Sequence, residues 1–262
     1  MLVDERRHQI AQLVVAREVA TVTELSERFV VSPVTIRSDL EALEKQGMLK
    51  RNRGGAVAHH VLRFAPTFQE KTSVHPLEKQ AIAERAAKLI EDGDHVIVDS
   101  GSTALFFARK IRDRDLTVLV NSVYTLNELT GAPTIDLITV GGTLYKPGMS
   151  FVGPLSETFL DKIHVDKVFL GVNGVSCKGI SVNNMQEAGA KRRMIAAADR
   201  VIVLADSSKI GVNSFVFLTS LDHVQVLVTD AGIAPEYLKK FREVNVEVLI
   251  AKSTRCDDHA AR

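Results

Sequence analysis

Apolar residues recur along the chain with two different periods, and the change of period divides it. From Thr21 to Val30, the positions Leu25, Phe29 and Val30 make the stripe of a helical turn and a half. Thr21 and Glu24 stand at capping-box spacing there, with Thr23 a rival N-cap. Val31-Ser32-Pro33 breaks the pattern. Ser32 can cap a second helix, and Pro33 suits its first turn, where the missing N–H has no helical partner to lose. In that second helix Ile36, Leu40 and Leu43 share the inward face, and Gly47 after Gln46 is a fitting left-handed stop. Lys50, Arg51 and Arg53 follow, then Gly54-Gly55 as a hairpin turn, with no acid from Lys45 to Val57.

The period shifts beyond His75. Residues 77–90 read as a helix with Ile82, Ala83, Ala86, Leu89 and Ile90 on one side. Short β-branched runs then alternate with helical stretches. Strands are expected at 95–98, 116–120, 135–138, 167–170, 201–204, 224–228 and 246–250, and helices at 103–111, 122–128, 155–163, 185–198 and 235–243. Several strands are apolar on both faces, as buried parallel strands are. The expected fold class is α/β, with a small helical front domain and a mostly parallel sheet behind it. The expected boundaries are residues 1–58 for the first domain, 59–75 for a linker, 76–252 for the second domain, and 253–262 for a disordered polar tail.

Two short helices around a tight turn, followed by a basic hairpin, can set one helix in the major groove of double-stranded DNA and a wing against the adjacent phosphates. The candidate contacts are Ser32, Val34, Thr35, Arg37 and Ser38 on the second helix, and Lys50, Arg51 and Arg53 on the wing. Short side chains let the helix axis approach base edges, and Arg37 can reach guanine or a phosphate. Residues 1–60 hold nine Lys/Arg against eight Asp/Glu, so affinity must depend on where charges sit. Glu18, Glu27 and Glu44 are expected to face away from the phosphates. One such unit binds weakly, which calls for a homodimer or homotetramer on one operator. A small helical domain with a solvated charged hairpin is the competing reading.

In the second domain, small hydroxylated and amide residues recur where strands end: Asp99-Ser100-Gly101-Ser102-Thr103, Asn121-Ser122, Gly141-Gly142, Gly171 to Gly174, and Asp206-Ser207-Ser208-Lys209. Open α/β sheets hold their ligands at those ends. Ser100 to Thr103 directly precede a helix, so backbone N–H groups and hydroxyls could cradle a phosphate, with Lys209 as countercharge. Asp99 suits a different role, accepting hydrogen bonds from the loop or from a sugar hydroxyl. The same residues are also ordinary turn formers. Glu187 and Lys191, four apart on one helix, equally fit a surface pair.

The formal charge of +1 excludes bulk attraction to acidic polymers and leaves a localised basic surface. Apolar runs are strand-sized, so no membrane span is expected, and the start lacks a signal-peptide pattern. Cys177 and Cys256 are far apart and lack metal-site companions, which fits a reduced, cytoplasmic setting with no metal and no cofactor.

Arg6-Arg7, Leu25, Val31-Ser32, Thr35-Ile36-Arg37, Asp39-Leu40, Leu43, Gln46-Gly47 and Arg53-Gly54-Gly55-Ala56 together resemble the start of a DeoR-type transcriptional regulator, a winged helix-turn-helix domain. The family's second basic residue after the recognition-helix Arg is Ser38 here. The motifs at the strand ends, with Gly153, Phe169-Leu170-Gly171, Asn183-Asn184, Glu187 and Lys191-Arg192, resemble the DeoR-type sensor domain, whose fold is similar to sugar-phosphate isomerases, amino-sugar deaminases and CoA transferases. The resemblance implies a repressor of a carbohydrate-utilisation operon, controlled by a phosphorylated sugar effector. It places the phosphate on Ser100, Gly101, Ser102 and Thr103, with Asp99, Asn121, Gly141, Gly142, Asn183, Glu187, Lys191 and Lys209 around the rest of the ligand. It implies no catalysis. The alternative is a sugar-phosphate isomerase or deaminase with an appended DNA-binding domain, for which Glu187 is the one candidate base.

Overall fold

The computed structural model describes residues 3–17, 19–45, 48–52, 54–58 and 68–252. The chain forms two compact units, residues 1–65 and 66–262. In the first unit, α1 (Val3–Arg17), β1 (Val19–Thr21), α2 (Val22–Phe29), α3 (Pro33–Lys45), β2 (Leu49–Asn52) and β3 (Gly55–Ala58) follow in order. The strands pair antiparallel in the order β1-β3-β2. Ile10 and Val14 of α1 pack with Leu25, Ile36, Leu40, Leu43 and Leu49 as one buried cluster.

Local chemistry sets both helix starts. Thr21 accepts from the Glu24 N–H while the Glu24 carboxylate accepts from the Thr21 N–H, closing the capping box. Ser32 Oγ accepts from the Thr35 N–H at 3.2 Å, and Pro33 opens α3. Val30 departs from the expected stripe: it is 88% exposed and left-handed at φ 52°, because α2 ends there and reverses the chain. A β-branched residue in that region is strained. Gly55 is required by close approach, since a Cβ there would lie 2.1 Å from the Ala20 carbonyl oxygen of β1. Gly47, expected as the α3 stop, lies outside the described residues.

An ion triad fastens α1 to α3. Asp39 is 2% exposed and accepts from Arg6 Nε at 2.7 Å and Arg7 Nε at 2.9 Å. Hydrogen bonding to Asp39 raises the Arg6 pKa despite the opposing effect of burial.

The second unit contains α4 (Phe68–Ser73), α5 (Pro76–Ala87), β4 (His95–Val98), α6 (Ser102–Lys110), β5 (Leu116–Val120), α7 (Val123–Leu129), β6 (Ile135–Thr139), β7 (Thr143–Tyr145), β8 (Ser150–Val152), α8 (Pro154–Leu160), β9 (Val165–Gly171), β10 (Gly174–Ser176), β11 (Gly179–Val182), α9 (Met185–Ala196), β12 (Ala198–Leu204), β13 (Val216–Thr219), β14 (Val226–Asp230), α10 (Pro235–Glu243) and β15 (Glu247–Ala251). Seven strands form one parallel sheet in the order β15-β14-β12-β9-β4-β5-β6. Alternate side chains feed two separate cores. Val96, Val98, Phe169 and Ile202 join one, while Ile97, Val168, Leu170 and Val203 join the other. Burial on both faces is why these strands read as unbroken apolar runs.

From β4 the chain winds outward to β5 and β6, whereas from β9 it winds the other way to β12, β14 and β15. The order therefore reverses between β4 and β9, and a crevice opens beyond their carboxyl ends. Two smaller antiparallel groups, β7-β8 and β10-β11-β13, were not expected from the sequence. The expected linker is also corrected. Residues 68–73 are α4 of the second unit, Phe68 stacks on Tyr124 with ring centroids 4.0 Å apart, and Lys79 Nζ donates to the Lys71 and Val74 carbonyls. Residues 59–67 and 253–262 lie outside the described residues. No helix among those described is long and apolar enough to cross a membrane.

Candidate functional site

The crevice at the sheet's reversal point is a cleft of about 440 Å³, within the range of small-molecule sites. Ser100, Gly101, Ser102 and Thr103 line it from the β4 end, Asn183, Glu187 and Lys191 from α9 and the turn before it, and Lys209 from the turn after β12. These eight of the twelve expected ligand residues are brought together. Helix α6 starts at Gly101, whose φ of 130° suits glycine, and no side chain caps that end. Its first-turn N–H groups and the Ser102 and Thr103 hydroxyls are therefore the polar groups at the helix's positive end.

Asp99 lies beneath the cleft wall, wholly buried. It accepts from the Gly171 N–H at 3.0 Å and pairs with Lys191, whose Nζ also donates to the Gly171 carbonyl at 3.0 Å. The expected surface pair of Glu187 with Lys191 is thus overturned: Lys191 is 4% exposed and reaches Asp99, 92 residues away in sequence. Gly171 permits this arrangement, because a Cβ would lie 2.8 Å from the Ser100 carbonyl oxygen.

Asn121, Gly141 and Gly142 do not line the cleft. Asn121 is buried beside it, with Oδ1 lacking a partner. Gly142, at φ 134°, is pressed against α8, where a Cβ would lie 2.4 Å from Ser156 Oγ, and Gly141 offers its carbonyl to that same hydroxyl. Packing accounts for Gly142, whereas a Cβ on Gly141 would meet nothing within 4 Å.

Four cleft residues that sequence reasoning missed come from the start of the second unit: Phe68, Lys71, Val74 and Lys79. A lysine in a six-residue helix between Pro66 and Pro76 carries no local signature. Burial lowers the Lys71 pKa, and nearby Lys191 and Lys209 lower it further against the pull of Glu187. Burial also lowers the Lys79 pKa. The Glu187 carboxyl is pushed up, chiefly by burial and also by Asp99, against Lys191 and Lys71. Asp99 compensates Lys191, and backbone carbonyls hold Lys79. Lys71 and Lys209 have no carboxylate within 4.0 Å among the described residues, and they line the cleft together with Glu187 and Asp206. No cluster of metal-ligating side chains occurs among the described residues.

On the first unit, α3 presents Ser32, Val34, Arg37 and Ser38 exposed and Thr35 half-buried, with Val34 71% exposed. Ser32 Oγ and Thr35 Oγ1 are 2.9 Å apart. Arg51 is exposed, but its N–H donates to Glu44 Oε1 at 2.8 Å, and its guanidinium stands 3.7 Å from Glu41 and 3.9 Å from Glu44. Glu44, expected to face away from the phosphates, ties the wing to α3 through this bond. The side chain of Lys50 and the whole of Arg53 lie outside the described residues.

The amino-terminal region matches the DeoR-like helix-turn-helix domain over residues 6–61, and residues 74–231 match the DeoR C terminal sensor domain. The uncharacterized HTH-type transcriptional regulator YulB of Bacillus subtilis is 40% identical over 95% of this chain and 96% of that protein. A putative aga operon transcriptional repressor of Escherichia coli O157:H7 is 35% identical over 94% and 93%, and the L-fucose operon activator of Haemophilus influenzae is 31% identical over 91% and 96%. These relatives are regulators by name, not enzymes. With a reading head built around α3 and a sensor-type sheet carrying a polar cleft, each matched by its own family model, the chain belongs to the DeoR family of DNA-binding transcriptional regulators.

Proposed function

We propose that the protein is a cytoplasmic homodimer or homotetramer that represses a carbohydrate-utilisation operon, and that a phosphorylated sugar bound in the cleft changes its affinity for operator DNA. The convergence of the uncapped α6 start with Lys71 and Lys209 is the observation that carries this reading. A phosphate there would offset two ammonium groups that lack carboxylate partners, while the remaining volume suits a sugar-sized body. One relative is named as a repressor, of the aga operon, and another for a sugar operon, that of L-fucose, which it activates. Control requires unequal binding of the ligand to the two DNA-affinity states. Helix α4 is the first described helix after residues 59–67, which join the units, so a ligand that engages Lys71 acts on the chain near that joint in sequence.

Lys209→Ala is expected to leave operator binding within about twofold and to remove its response to sugar phosphates. Fluorescence anisotropy with an operator selected by the protein from random DNA measures both. If the variant's response equals the wild type's at every concentration, Lys209 is not the countercharge.

Within the same reading, α3 reads bases and Arg37 meets a phosphate. Arg37→Ala should weaken binding to every duplex and flatten log affinity against log salt by about one unit. Thr35→Ala should cost mainly discrimination, about 1–3 kcal/mol between operator and altered operator. Binding isotherms across salt and sequence would refute the division if both variants lost affinity uniformly.

A further inference from the structure

The inward side of α3 carries Ile36, Asp39, Leu40 and Leu43, all buried. Its opposite stripe, at helical spacing, is Val34, Arg37, Ser38 and Glu41, all exposed. Glu41, at the far end, is held by Lys45 at 2.9 Å and by Arg51 at 3.7 Å. Arg37 and Ser38, in the middle, carry hydrogen-bond donors. Val34 leads the stripe, 71% exposed and without a polar side-chain atom.

A single exposed valine is ordinary on a protein surface. The neighbours of this one set it apart. Pro33 beside it is also exposed and apolar, and has no N–H to offer. Ser32 and Thr35 flank the two. Their hydroxyls meet each other at 2.9 Å, and Ser32 Oγ also accepts from the Thr35 N–H at 3.2 Å. The hydroxyls on either side are thus already partnered, and the leading end of α3 presents an aliphatic surface between them. Val30 is more exposed still, but it belongs to the left-handed reversal before α3 and stands off this stripe.

Residues at the start of a recognition helix are the ones that reach base edges. In the major groove those edges are hydrogen-bond donors and acceptors, with one apolar exception, the C5 methyl of thymine. An isopropyl group laid over a polar edge would take water from it and return no hydrogen bond. Laid over the methyl, it buries apolar surface on both sides.

We propose that Val34 is a specificity-determining residue that packs on the C5 methyl of a thymine in the operator. The inference rests on the reading of α3 as the helix that reads bases, and it names the chemical group that the leading end of α3 recognises.

Fluorescence anisotropy of the full chain tests it, with an operator selected by the protein from random DNA and each thymine in turn replaced by uracil. Uracil pairs as thymine does and lacks only the methyl. The wild type is expected to lose about fourfold in affinity at one thymine, the factor that burial of one methyl-sized group gives. Val34→Ala should bind the thymine and uracil forms of that position equally. Its thermal transition should match the wild type's, because Val34 stands outside the buried cluster of the first unit. Val30→Gly, which removes an exposed valine off the stripe, should keep the wild type's preference for the methyl. Wild-type affinity that is indifferent to every uracil replacement overturns the contact. So does a methyl preference that survives in Val34→Ala, or one that disappears equally in Val30→Gly. A protein that selects no sequence from random DNA would instead overturn the base-reading role of α3 beneath it.

Discussion

Asp39→Ala is expected to cost the DNA-reading unit about 3 kcal/mol and to abolish operator binding. The carboxylate is buried and holds two arginines of α1 against α3, and its removal strands the Arg6 guanidinium, itself 9% exposed, without a countercharge. Breaking a buried pair from one side is far more damaging than replacing both partners by apolar groups. A unit of about 65 residues has little stability in reserve. Scanning calorimetry of the full chain provides an internal reference: the first unit's transition should fall in temperature while the second unit's stays in place. An unmoved first transition with wild-type operator affinity would mean that the triad contributes no more than a surface salt bridge does.

Lys191→Met should produce a loss of similar size in the other unit, about 3 kcal/mol, together with loss of effector response. It leaves the Asp99 carboxylate fully buried with the Gly171 N–H as its remaining donor from outside its own loop. The β4 and β9 ends that this pair joins are the two sides of the crevice. The double variant Asp99→Asn/Lys191→Met removes the stranded charge and should recover most of the lost stability without restoring the response. Thermal melts of the two variants, compared with the wild type, check this. Equal melting temperatures for the single and double variants would show that the carboxylate is satisfied without the lysine.

Features written in neighbouring residues were legible in the sequence. The capping box at Thr21, the Ser32-Pro33 start of α3 and the inward face Ile36, Leu40 and Leu43 are local, and the structure carries each of them. The parallel strands were legible because burial on both faces leaves continuous apolar runs. Helix α1 went unread although Ile10 and Val14 stand four apart, because the turn-flanked pattern begins only at Thr21. Strands β7, β8, β10, β11 and β13 are three or four residues long, too short to show a period among glycines. Val30 fits the helical stripe in sequence, but a left-handed reversal turns it outward.

The same distinction governs the cleft. Ser100 to Thr103 announced themselves by preceding a helix directly, and Lys209 by closing a strand-end run. The pairing of Asp99 with Lys191 joins positions 92 residues apart, and no spacing rule reaches that far. Lys71 was hidden because its segment reads as a linker, and Lys79 because it reads as a polar position of the helix expected at 77–90; tertiary packing alone brings both to the cleft. Gly142 looked like a ligand position because tight packing and ligand approach demand the same residue.

Coupling between the cleft and the DNA is the central claim, and linkage makes it measurable from the ligand's side. A sugar phosphate that alters operator affinity by some factor must itself be bound more or less tightly by the same factor when the operator is present. Calorimetric titration of that ligand into the free protein and into its saturated operator complex is the direct measurement. The account predicts affinities that differ by about tenfold or more, matching the shift in operator affinity seen by anisotropy. Identical ligand affinities in the two titrations would contradict it.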